Sequence, residues 1–105
     1  MPRCIWPVAF AAIFVLSLCP VHAETIRVVI EKLGYEPARI NAKVGDTVEW
    51  ENKDVIAHTA TVRGDWDVMI PAKKTASLVL KKAGDFEYYC RFHPNMTARI
   101  AIAPR

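Results

Sequence analysis

The sequence predicts an all-β domain, a sandwich or barrel of seven to eight short antiparallel strands. Three observations predict it. Past residue 23, no window shows a 3.6-residue apolar period bracketed by helix start and stop signals. Short runs rich in β-branched and aromatic residues alternate with polar positions, as half-buried strands do. Turn signals recur roughly every eight to twelve residues, the spacing of strands in a sandwich or barrel.

In chain order, Thr25–Ile30 is β-branched and alternating. Gly34 interrupts, and Tyr35-Glu36-Pro37 marks a kinked or edge region, because proline has no N–H for a ladder. Ala38–Val44 sets Ile40, Ala42 and Val44 on one face, and Gly45-Asp46 turns the chain. In Thr47–Glu51, Val48 and Trp50 face one way and Thr47, Glu49 and Glu51 the other. After the polar Asn52-Lys53-Asp54 loop, Val55–Val62 is apolar and threonine-rich and carries His58. Arg63-Gly64-Asp65 turns again, and Trp66–Ile70 is a short strand or an irregular crossing, with Met69 expected in the core. Ala76–Leu80 and Phe86–Cys90 are strands separated by Lys81-Lys82 and the Ala83-Gly84-Asp85 turn. The last strand is Met96–Ile102, with Ile100 and Ile102 opposed to Thr97, Arg99 and Ala101.

The first 23 residues differ in kind. Arg3 is their only charge, Ile5–Leu18 is almost wholly apolar, and Val21-His22-Ala23 ends in the small residue that a signal peptidase reads. The run is short for a membrane span, which needs roughly 20 residues. Residues 1–23 are therefore expected to be a signal peptide cleaved after Ala23, with an uncleaved anchor as the alternative. The remaining domain, 24–105, is exported and free of the membrane. It keeps 13 Lys+Arg against 11 Asp+Glu, a net charge of +2 with no basic cluster of the kind nucleic acid requires. Lys73, Lys74, Lys81 and Lys82 read as solvated strand ends able to steer an acidic partner.

Of the three cysteines, Cys4 and Cys19 fall in that segment, so the domain keeps Cys90 alone and can form no internal disulfide. A buried inert thiol is the plain alternative to a functional one. Its surroundings argue otherwise: Cys90, His93 and Met96 put a thiol, an imidazole and a thioether at three-residue intervals, where one loop can wrap one ion. With His22 in the leader, His58 is the only other histidine of the domain. In a sandwich, strand ends separated by 32 positions meet at one pole at modest loop-closure cost. A His₂Cys set with a weak axial methionine is the donor set of a blue-copper electron-transfer site. Zinc would favour a fourth thiolate or imidazole over a thioether.

These residues also carry a resemblance. Val44-Gly45-Asp46-Thr47-Val48-Glu49-Trp50, then His58, then Tyr89-Cys90-Arg91-Phe92-His93-Pro94-Asn95-Met96 resemble, in order, the cupredoxins, the type I blue copper proteins. The short Cys-x₂-His-x₂-Met loop is most similar to that of the amicyanins and other small bacterial members. The resemblance implies a Greek-key β-sandwich holding one type I copper ion, with His58, Cys90 and His93 as equatorial ligands and Met96 as the axial one. It departs from the family at Thr59, where many members carry asparagine, and around Trp66-Asp67.

The function expected is periplasmic one-electron carriage rather than catalysis, since no spare histidine cluster remains for a second copper. The alternative is periplasmic copper carriage or delivery, for which the chain lacks a methionine cluster. The partners expected are a redox protein donor and acceptor that dock transiently near His93, on Phe92, Pro94 and Pro71, with the carrier a monomer.

Overall fold

The computed structural model describes residues 22–105, so the expected signal segment lies outside the described residues except for His22 and Ala23. Nine strands form two stacked sheets. In one, the order is β2 (Gly34–Glu36), β1 (Thr25–Glu31), β4 (Thr47–Asn52), β7 (Thr75–Val79). In the other it is β3 (Arg39–Lys43), β9 (His93–Ala103), β8 (Gly84–Cys90), β5 (His58–Val62), β6 (Trp66–Ile70). The β-sandwich is as expected, and no described residue is helical.

The sheets are mixed rather than purely antiparallel: β1 runs parallel to β4, and β3 parallel to β9. Alternation along one strand reports which face is buried and carries no information about its neighbour's direction. Here β3 belongs to the opposite sheet, so the chain returns beside β1 without a hairpin. The expected alternations in β4 and β9 hold: Val48, Trp50, Ile100 and Ile102 are buried while their neighbours face out. Met69 corrects an expectation. It is 47% exposed, because β6 is an edge strand that turns Trp66, Val68 and Ile70 inward and Asp67 and Met69 outward.

An aromatic cluster joins the sheets. Tyr88 meets Tyr35 edge-on at 4.7 Å and Trp50 at 5.7 Å, and Trp50 Nε1–H donates to Tyr88 Oη at 3.2 Å. Burial pushes the Tyr88 phenol up to about 12, against the opposing Trp50 bond. The hydroxyl therefore stays protonated in this cluster.

At the pole near Glu24 and Arg105, Asp46 gathers the chain. It is 4% exposed and accepts from Glu24 N at 2.9 Å, Lys43 N at 2.9 Å and the Arg105 guanidinium at 2.6 Å. Burial alone would raise its pKa. The Glu24 and Lys43 N–H groups and Arg105 outweigh that and hold the carboxyl below the usual 3.8. A carboxyl whose folded pKa is lowered adds stability above its unfolded value and loses it as pH falls through the folded one. Urea titration should thus show stability declining below about pH 4, and the decline should be shallower in Asp46→Ala. At neutral pH that variant should lose about 2–4 kcal/mol.

Candidate metal centre

Three strand ends build the centre at the opposite pole. His58 opens β5, Cys90 closes β8 and His93 opens β9. Cys90 and His93 face one another across a two-residue turn, Arg91-Phe92. The ladder then runs from Cys90↔His93 to Tyr89↔Thr97, so Pro94, Asn95 and Met96 bulge out of register. The loop expected over Cys90–Met96 is therefore a tight hairpin end followed by a bulge. β9 begins at His93 rather than at Met96, and the bulge leaves Met96 buried at 4% exposure.

His58 and Cys90 are fully buried, while His93 is half-buried. Cys90 Sγ lies 3.7 Å from His58 Nδ1 and 3.8 Å from His93 Nδ1, and all three donor atoms fall within 4.8 Å of one another. A trigonal first-row ion with bonds of about 2.0–2.3 Å separates nitrogen from sulfur by roughly 3.8 Å. The donor set fits such an ion both in spacing and in chemistry. It is the one cluster of three or more His, Cys, Asp or Glu donors found among the described residues.

The surrounding bonds prepare these donors. Asp54 Oδ2 lies 2.8 Å from His58 Nε2. Burial pushes Asp54 up, but the Leu33 N–H, the His58 ring and the Lys32 N–H together hold its carboxyl below the usual range. An ionised carboxylate only accepts, so in the neutral imidazole the proton sits on Nε2 and the Nδ1 lone pair faces Cys90. Thr59 N–H donates to Cys90 Sγ at 3.4 Å, and Thr59 Oγ1 accepts the Arg91 N–H at 2.9 Å. Its carbonyl accepts the Tyr35 hydroxyl. Thr59 thus ties the first histidine's strand to the thiol's hairpin, the place where the sequence departs from the resembled family.

Asp54 was missed in the sequence. A carboxylate four residues before a histidine signals nothing until the loop between them is known. Leu33, Val55 and Ile56, exposed by 49%, 79% and 42%, were missed too. Leu33 N–H bonds Asp54, and the Ile56 carbonyl accepts from Asn52 Nδ2, which puts both on the loops around this centre. With Phe92 (47% exposed), Pro94 and Pro71 they give the pole an apolar surface.

Comparison with known proteins agrees with this geometry. The chain matches the Cupredoxin-like domain family over residues 6–102. It is 33% identical over 80 residues to the amicyanin of Paracoccus denitrificans, covering 70% of this chain and 61% of that relative's length. It is 27% identical over 97 residues to the amicyanin of Paracoccus versutus, covering 83% of this chain and 71% of that one. Among solved structures, the reduced state of a proline-to-phenylalanine variant of amicyanin superposes with a TM-score of 0.64 at 33% identity. That match covers 74% of this chain and 81% of the other. A reduced Cu(I) form of a proline-to-glycine variant of amicyanin gives a TM-score of 0.64 at 32% identity, with the same coverage of 74% and 81%. With this fold, this donor cluster and these relatives, the chain belongs to the cupredoxin-like family and is amicyanin-like within it.

Proposed function

We propose that the protein is a periplasmic one-electron carrier with a single type I copper, which His58, Cys90, His93 and Met96 would hold. The observation that carries the reading is the approach of two imidazole Nδ1 atoms to one buried thiol at 3.7 and 3.8 Å. Bound copper supplies a one-electron Cu(II)/Cu(I) couple. The protein supplies the rest. Cys90 offers a thiolate shielded from water, and Asp54 orients His58 through its Nε2–H. His93 is the one half-exposed donor of the three, so a partner's redox group approaches closest at its ring.

The apolar surface of Leu33, Val55, Ile56 and Phe92 suits small, quickly dissociating contacts around that ring. Lysines stand beside it. Lys53 N–H bonds the Ile30 carbonyl, the Lys74 carbonyl accepts Asn52 N–H, and Lys73 Nζ reaches the Lys53 carbonyl. With Lys32 they make one flank of the pole basic, which favours redox partners with acidic docking faces. Export fits as well. Cleavage after Ala23 converts Glu24 N–H, 2.9 Å from Asp46, into an ammonium beside a buried carboxylate. The mass of the secreted protein should then correspond to a chain starting at Glu24.

Copper-loaded protein should show an intense visible thiolate-to-copper band that Cys90→Ser abolishes. A colourless ion stripped readily by a chelator would instead indicate copper delivery. Asp54→Ala, which frees the His58 ring, should weaken copper affinity by roughly 10–100-fold in a competition titration. Electron transfer with an acidic partner should slow about tenfold or more as ionic strength rises from low to physiological values. An equally large salt effect in a variant carrying Lys32, Lys53, Lys73 and Lys74 as glutamine would remove the lysines from that role.

A further inference from the structure

The two places where the sequence departs from the resembled family, Thr59 and the Trp66-Asp67 stretch, are joined by hydrogen bonds. Thr61 Oγ1 lies 2.6 Å from Asp67 Oδ1 and 2.9 Å from Thr59 Oγ1. A hydroxyl carries one proton, and an ionised carboxylate carries none to give. The bonds from Arg91 and Thr61 keep the Asp67 carboxyl below its usual range, so Thr61 directs its proton to Asp67. Thr61 Oγ1 is then left to accept, and Thr59 O–H points to it. Thr59 Oγ1 in turn accepts Arg91 N–H at 2.9 Å, and Arg91 Nε–H returns to Asp67 Oδ1 at 3.0 Å.

The ring therefore starts at Arg91, which donates along both arms, and ends at the carboxylate, which accepts from both. Its inner members are dry, with Thr59 fully buried and Thr61 5% exposed. Its outer members, Asp67 and Arg91, reach solvent. Arg91 directly follows Cys90, and Thr59 N–H is the group that donates to Cys90 Sγ.

We propose that Asp67 and Thr61 are positioning residues for the Cys90 thiolate. The hydroxyl relay from Asp67 through Thr61 and Thr59 to the Arg91 N–H locks the thiol's hairpin to the first histidine's strand. This rests on the copper reading for one of its two readouts. A loosened relay lengthens the Thr59 N–H···Sγ contact and leaves more negative charge on sulfur. That favours the higher oxidation state of a bound ion and lowers the reduction potential. Losing only the Asp67 charge acts in the opposite sense, because a nearby anion stabilises the more positive ion.

The test uses the whole chain with Thr61→Val, Thr61→Ser, Asp67→Ala and Asp67→Asn. The first readout is hydrogen exchange at the Arg91 amide, which reports the Arg91 N–H to Thr59 bond and needs no metal. T61V and D67A should speed it about tenfold. T61S keeps the hydroxyl and D67N keeps an Oδ1 acceptor, so both should stay within about twofold of the unsubstituted protein. The second readout is the reduction potential of the copper-loaded protein, which should fall in T61V and should lie lower in D67A than in D67N, since both Asp67 variants lose the charge and only D67A loses the acceptor.

Unchanged Arg91 exchange in T61V overturns the relay. Faster exchange with an unchanged potential overturns its action on the thiolate. A potential in D67A no lower than that of D67N makes Asp67 a distant charge rather than a link, and overturns the proposal equally. If T61V fails to fold, D67A against D67N carries both readouts, since Asp67 is exposed. Absence of a thiolate-to-copper band in the unsubstituted protein would instead overturn the function proposed above and leave the exchange readout standing.

Discussion

A fully buried imidazole and a fully buried thiol can share one point only if the polar atoms around them find partners inside the protein. Each buried group left unpaired costs about 1–3 kcal/mol. That requirement shapes the whole pole. Asp54 answers it for His58, and the backbone N–H of Thr59 answers it for Cys90. Among the described residues, no buried side-chain nitrogen or oxygen lacks a partner.

The same bonds explain how loops far apart in sequence are set against each other. Asn52, 1% exposed at the end of β4, turns its side-chain amide toward the carbonyls of Ile56, Ile70 and Pro71 and accepts Asp54 N–H. It therefore shapes the loop that presents Asp54. Asp54 then bonds His58 and also both N–H groups of the β1–β2 turn, Lys32 at 2.8 Å and Leu33 at 3.0 Å. Those two turn residues have φ of 54° and 59°, a region that costs non-glycine residues about 1–3 kcal/mol. The carboxylate that orients the histidine is also what compensates the turn. The centre and the first hairpin are consequently tied to one carboxylate.

This division accounts for what was legible in the sequence. That His58, Cys90 and His93 would meet was legible because donor chemistry resides in side-chain identity and the domain offers few alternatives. The strands Thr47–Asn52 and His93–Ala103 were legible where alternation is strict, although the start of β9 was hidden by the bulge at Pro94–Met96. The β1–β2 hairpin was not legible, because Lys32-Leu33 carries no turn signature. Its conformation depends on a carboxylate 21 and 22 positions away. Met69 was misplaced for a related reason: the position of β6 at a sheet edge is a property of topology, which no local pattern contains. Strand direction in the two parallel pairs lies beyond local pattern in the same way.

The bonds that hold the donors end on groups whose own charge or geometry is independent of any ion. His58 leans on a carboxylate ionised by its own hydrogen bonds, and Cys90 on a backbone N–H within a strand. The hairpin of His93 is closed by the pairing of Cys90 with His93. Such a frame resists rearrangement when the charge at its centre changes by one unit, which favours carrying an electron over releasing a metal. Release would demand that buried donors move toward water, and two of the three lie at zero exposure. Only His93 reaches the surface. On the function proposed above, exchange with the outside is confined to one imidazole edge, which suits an electron better than an ion.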